Sequence, residues 1–392
     1  MKVTIDGQSI EIPTDIFAAL LDNSAARSYA DFDHAMNRGS ISWGNLKILA
    51  EKGDIPIPLF FGPKELVEHQ IEKKDQALLS GLSKEAFSVN SRAEFRIADV
   101  ELIVKDLIRK QELLKGLEPD LKKNTFVGCL RSNSEILEND VQAFFEHVGL
   151  NSDTFSAAKN AKEAFEKLAS ALEKVQVLVG ESVRNYMPQQ IRVGDFSGLT
   201  LKDPKIPYIF VAGGDKGDNQ EPIGRRLFTL VLLAVLVARN KFVPVAYNGD
   251  SLGGGSTYEF DLTASILMPK AKVIDASTDL DSIKQLAANL NVTPTALTVR
   301  LKRLGIIDFK GASEHLRALR EEFLMRPAQF ATQPRPANAI RKYNGTFMTQ
   351  HMLAHLDAGR LKPKEFRRTI CLNNLEIQNF SSLRESVWES NR

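Results

Sequence analysis

Few residues in this sequence could bind a metal or move protons, and most of them stand alone. The histidines are His34, His69, His147, His315, His351 and His355. Only the last two can act together: as HxxxH they fall one turn apart on one face of a helix. That pair offers two imidazole donors, whereas a zinc site takes three protein ligands or more, and no glutamate follows His351. The ordinary reading is two surface or partly buried histidines. Cys129 and Cys371 are far apart, form no CxxC pair and have no activating histidine pattern, so neither a disulfide framework nor a thiol nucleophile is expected. The glycine-rich stretches 213–217 and 249–256 match neither GxxxxGK[ST] nor GxGxxG before a helix, so no phosphate cradle is expected.

Two segments could meet a polyanion. Leu280 to Ile307 reads as a helix-turn-helix. One apolar stripe runs through Leu286, Ala287 and Leu290, and a second through Leu297, Leu301 and Leu304. Thr293 is placed to cap the second helix and Pro294 to start it. Thr295, Arg300, Lys302 and Arg303 would lie on or near its exposed side, where a recognition helix meets bases and phosphates. The alternative is a helical hairpin packed on the core. Further on, Arg335, Arg341, Lys342, Arg360, Lys362, Lys364, Arg367 and Arg368 outnumber Asp357 and Glu365. That region could touch RNA, DNA or an acidic protein, or be a solvated basic face.

The elements that must position these residues follow from the pattern along the chain. Lys2 to Ile12 alternates around Asp6-Gly7, a hairpin signal. Helices follow over roughly 15–23, 28–36 and 43–52, and Pro56 and Pro58 exclude a helix over 55–61. Residues 64–150 read as mostly helical, and 142–150 and 156–175 as two amphipathic helices. Short strands are expected at 175–179, 195–201 and 208–211. An apolar helix over 227–238 and a helix ending near Met268-Pro269 complete an α+β centre. From Leu280 the chain is helical again, with a linker at 325–337. With 392 residues, 43% hydrophobic and 26% charged, and a net charge of +2, several domains with a sizeable core are expected, and any nucleic-acid contact must be local. The run 227–238 falls short of the roughly 20 residues of a membrane span. The N-terminus lacks a signal core, so a cytoplasmic location is expected.

Several segments in this order resemble the ImmA/IrrE family of zinc metallopeptidases with an Xre-type N-terminal region. They are Ser42–Pro63, Arg109–Leu114, Val175–Ser182, Gly194–Gly198, Tyr208–Asp215, Phe228-Thr229-Leu230, Ala264–Pro269, Leu286–Ile307 and Tyr343–Phe366. The resemblance implies a mainly helical α+β fold with a small zincin-like mixed sheet in the centre. It implies shortened Xre-related helices at 1–63, a helical connection at 64–150, a peptidase-like domain at 151–330 and a helical extension at 331–392. It also implies a catalytic HExxH on the helix after FTL, where two histidines hold zinc and the glutamate activates water.

Those ligands are gone. Counting from Phe228-Thr229, the histidine positions fall at Leu232 and Leu236 and the glutamate position at Leu233. Glu259 and Asp261 remain near the third ligand's place, but Glu259 lies closer to Leu267-Met268-Pro269 than the family's acidic residue usually does. The ordinary reading of both is as solvated helix residues. The expectation is therefore an inactive, cofactor-free homologue that binds a protein partner, encoded nearby, in a regulatory, antitoxin-like or phage-defence role. The alternatives are a DNA-binding regulator acting through 280–307, and a zinc peptidase with an atypical site. No membrane partner is expected.

Overall fold

The structure is a computed structural model. It describes the chain apart from residues 6, 80–86, 90–99, 133, 190, 192–195, 214–220, 248–256, 326–333 and 390–392. The glycine-rich stretches, beyond Gly213, and the middle of the expected linker lie outside the described residues. The described residues are mainly helical, with two small mixed sheets.

The chain forms two compact units, residues 1–81 with 94–108, and 82–93 with 109–392. In the first, strands β1 (Lys2–Ile5) and β2 (Gln8–Glu11) make the expected antiparallel hairpin, with Gly7 at φ 82° in the turn. Helices α1 (Thr14–Asp22) and α2 (Ala30–Arg38) follow. Strand β3 (Ser40–Ser42) then pairs parallel to β1, and α3 spans Trp43–Lys52. Pro56 and Pro58 leave only a 3-10 turn at Ile57–Phe61 before α4 (Lys64–Leu79). Phe17 and Phe60, both fully buried, lie at the heart of this unit's core.

The second unit starts with β4 (Phe87–Val89) and takes the C-terminal half of α5 (Glu101–Leu117). Next come α6 (Leu137–Val148) and α7 (Ala161–Lys174), then strands β5 (Leu178–Glu181), β6 (Gly198–Leu201) and β7 (Tyr208–Val211). Helix α8 (Ile223–Ala238) leads to β8 (Pro244–Tyr247). The sheet order is β4-β8-β6-β7-β5, with β6 antiparallel to both of its neighbours. Strand β8 was not legible beforehand because Pro244 interrupts its apolar run. As the first strand residue, a proline costs no ladder bond.

Helix α9 (Tyr258–Leu267) packs on α8, and α10 (Lys270–Val273), α11 (Leu280–Asn289), α12 (Pro294–Arg303) and α13 (Phe309–Leu324) follow, with α12 packed on both α11 and α13. The C-terminal helices are α14 (Pro336–Asn344), α15 (Thr346–Asp357), α16 (Pro363–Thr369) and α17 (Phe380–Glu389). Pro336, expected in the linker, instead opens α14, where its fixed φ suits the first helical position. Among the described residues no helix is long and apolar enough to cross a membrane.

Candidate functional site

Helix α8 is the axis of the second unit. Every residue from Leu227 to Ala238 is buried, as a helix apolar all round must be. It ends because Asn240 adopts φ 59°, which lets the amides of Arg239, Asn240 and Lys241 return to the carbonyls of the last turn. Leu232, Leu233 and Leu236 are all 0% exposed. Leu233, at the position of the expected glutamate, lies against β6. A Cβ on Gly198 would come within 2.7 Å of its Cδ1, so that glycine makes room for the leucine. Burying each such side chain stabilises the fold by about 1.5–3 kcal/mol.

The two acidic residues of α9 are not solvated as expected. Glu259 is 3% exposed, and Asp261 is half-buried. The turn between α8 and β8 sends Lys241 Nζ to 2.5 Å and Arg239 Nε to 3.4 Å from Glu259 Oε1. Burial alone would raise the Glu259 pKa, but the hydrogen bond from Lys241 and the two positive charges hold it below the ordinary glutamate value. Arg303 Nη1 meets Asp261 Oδ1 at 2.8 Å. Next to this pair of bridges, Tyr258 donates to Asp140 Oδ2 at 2.6 Å. Burial, reinforced by that bond, pushes the tyrosine up to about 12. Cations from the chain itself thus occupy the carboxylates that a metal would need.

The expected helix-turn-helix exists, and Thr293 caps α12 as anticipated, accepting from the Ala296 amide, with Pro294 next. Its orientation differs from the exposed placement, however. Arg300 is 6% exposed and donates to Ser265 Oγ at 2.9 Å, and Arg303 is turned onto Asp261 and the Phe260 ring. The turn itself is buried. Asn291, at φ 59°, donates to the carbonyls of Phe155 and Ala158. The reason is geometric: α12 buries Leu297 to Leu301 continuously, so it has two covered sides rather than one. Only Thr295, exposed, and Lys302, half-exposed above the Phe309 ring, point outward.

The HxxxH pair acquires a third member that its own segment did not reveal. Pro119 ends α5, and the Glu118 amide still bonds to Leu114 O at 2.8 Å, so Glu118 is held at the helix terminus. Its Oε1 lies 2.7 Å from His351 Nδ1 and 2.8 Å from His355 Nε2. Each imidazole donates a proton to that one oxygen. Burial raises the Glu118 pKa, but the two hydrogen bonds outweigh it and the carboxyl sits below its ordinary value. His351 also stacks on Phe347, with ring centroids 3.9 Å apart. The carboxylate oxygen fills the point on which the nitrogens converge. Among the described residues no group of three histidine, cysteine or acidic side chains is arranged to hold a metal ion. No local signal could have found Glu118, which is 233 residues from His351.

A second carboxylate, Glu173 at the end of α7, is buried at the start of α15. Gly345, at φ 85°, is required there: a Cβ would meet Glu173 Oε1 and Val179 O at 2.5 Å. Burial pushes Glu173 up to about 8. Burial raises the Cys129 thiol to about 11 and the Cys371 thiol to about 12, which disfavours the thiolate at both.

Compared with family models, with curated proteins and with solved structures, the chain matches none of them.

Proposed function

We propose that this chain is a non-catalytic protein with a metallopeptidase-like, zincin-like centre, and that it acts by binding a protein partner encoded nearby, in a regulatory, antitoxin-like or defence role. The observation that carries the reading is the pairing of Glu259 with Lys241 next to the three buried leucines of α8. Leucine offers no lone pair to a metal, and a carboxylate already neutralised by an ammonium at 2.5 Å is a poor ligand. The order of motifs from Phe228 to Pro269 supports the peptidase-like ancestry. Sealing that helix with hydrocarbon leaves an intact scaffold whose remaining use is recognition. Base reading through α12 is disfavoured, because Arg300 and Arg303 are turned inward.

The test uses the full chain. Purified protein should carry only trace zinc and leave peptide substrates uncut, with or without added zinc. When co-expressed with the product of the adjoining gene, it should elute with that product as a stoichiometric complex. Stoichiometric zinc, or cleavage stopped by a chelator, would overturn the non-catalytic part of the proposal. Separate elution from the neighbouring product would overturn the partner.

A further inference from the structure

We infer that the turn after α15 and helix α16 form a docking surface for the phosphate backbone of a nucleic-acid duplex. Between Arg360 and Arg368 the sequence places Arg360, Lys362, Lys364, Arg367 and Arg368 against Glu365 alone, a local net charge of +4 in a chain whose total is +2. Arg360, Lys362, Lys364 and Arg368 are exposed. Arg367 is the exception, held by Glu376 at 2.6 Å. The other four make no ion pair among the described residues.

This segment is anchored, which separates it from an ordinary solvated lysine run. Leu361 and Phe366 are 2% and 0% exposed, and Phe366 packs edge-on to Phe380 with centroids 4.9 Å apart. Pro363 sets the start of α16. Lys364 and Arg368, four residues apart, therefore share one helical face, and Arg360 and Lys362 lead into it. Helix α16 is about 10 Å long, so the cations are gathered on a short stretch and not scattered over the unit. Holding like charges this close without acidic partners is unfavourable in isolation, and an array of phosphates relieves it.

The chemistry of the patch selects the partner. A protein interface centres on apolar and aromatic residues and is depleted in lysine, yet here the large apolar side chains point inward. A single strand is gripped by stacking its bases on aromatic rings, and the exposed part of 360–368 has none. Charge without an apolar or aromatic component fits the regular phosphates of a duplex, with little sequence preference.

The experiment is fluorescence anisotropy of the full chain with a labelled 20-base-pair DNA duplex of arbitrary sequence. With four phosphate contacts, log Kobs falls against log[NaCl] with a slope of about −3.6, an affinity loss of about 150-fold from 50 to 200 mM salt. Lys364→Ala and Arg368→Ala should each reduce that slope by about 0.9. K362E/K364E/R368E should abolish binding while keeping the wild-type circular dichroism and melting temperature, since Leu361 and Phe366 are untouched. Four results would each overturn the inference: no binding by the wild type at 50 mM NaCl, unchanged binding by the folded triple variant, tighter binding to a single strand, or equal binding to polyglutamate. The last would assign the patch to an acidic protein.

Discussion

Two regions of the second unit handle buried charge in opposite ways. Around α8 and α9 the packing is hydrocarbon, with Leu232, Leu233 and Leu236 fully buried, and the carboxylates Glu259 and Asp261 are neutralised by Lys241, Arg239 and Arg303. Around α15, the residue types that make metal sites are all present, and Glu118, His351 and His355 converge on one oxygen. The first region pairs each carboxylate with a cation, whereas the second gathers metal-binding residue types but uses them as a clamp. Donor types therefore do not identify a site. What matters is whether the converging atoms leave a space for a ligand or fill it with each other.

The sharpest way to break the contrast is to restore charge to α8. Leu233→Glu buries a carboxylate against Gly198 and should cost about 4 kcal/mol or more. Chemical denaturation would measure it. A folded L233E of near wild-type stability would mean that the centre retains polar or solvated space, contrary to the sealed reading.

The next largest effect lies at the start of α15. Glu173 has a folded pKa of about 8, raised by burial above its unfolded value. The native state therefore binds more protons than the unfolded chain between the ordinary glutamate value and about 8, and stability falls as pH rises through that window. The slope should approach about 1.4 kcal/mol per pH unit at most. Glu173→Gln should flatten this limb in melting curves taken from pH 5 to 9. A limb that persists in E173Q would assign the titration elsewhere.

Lys241→Met leaves Glu259 with Arg239 alone. Because Lys241 is half exposed, the loss should be nearer about 1–2 kcal/mol than the value for a fully buried pair. The variant's acid limb should also be shallower than that of the wild type. Glu259 has a depressed folded pKa, so its contribution is present above the ordinary glutamate value and disappears as pH falls through the lower one. An acid limb identical to that of the wild type would show that Lys241 does not hold the carboxylate.

The smallest effect is expected at the clamp. Glu118→Gln keeps one acceptor for two donors and should cost about 1 kcal/mol at neutral pH. It should leave metal content unchanged. NMR of the imidazole nitrogens should show His351 protonated on Nδ1 and His355 on Nε2 in the wild type, with both signals shifted in E118Q. The opposite tautomers would contradict the shared-oxygen arrangement.

Much of the local structure could be read from the chain alone, because its causes are local. The alternation about Asp6-Gly7 makes a hairpin, Thr293-Pro294 starts α12, and the run 227–238 can only be a helix buried on every side. That α8 carries no histidine or carboxylate was equally legible, since side-chain identity needs no tertiary context. Three things were decided only by packing. Arg300 is buried because a second covered side of α12 depends on where α9 lies. Glu259 is buried because the turn at Asn240 returns Lys241 toward it. Glu118 joins His351 and His355 because the end of α5, far away in sequence, meets one face of α15. Periodicity specifies which face of an element is apolar. What covers that face, and which charges meet across the contact, is set by long-range packing that no short window of sequence contains.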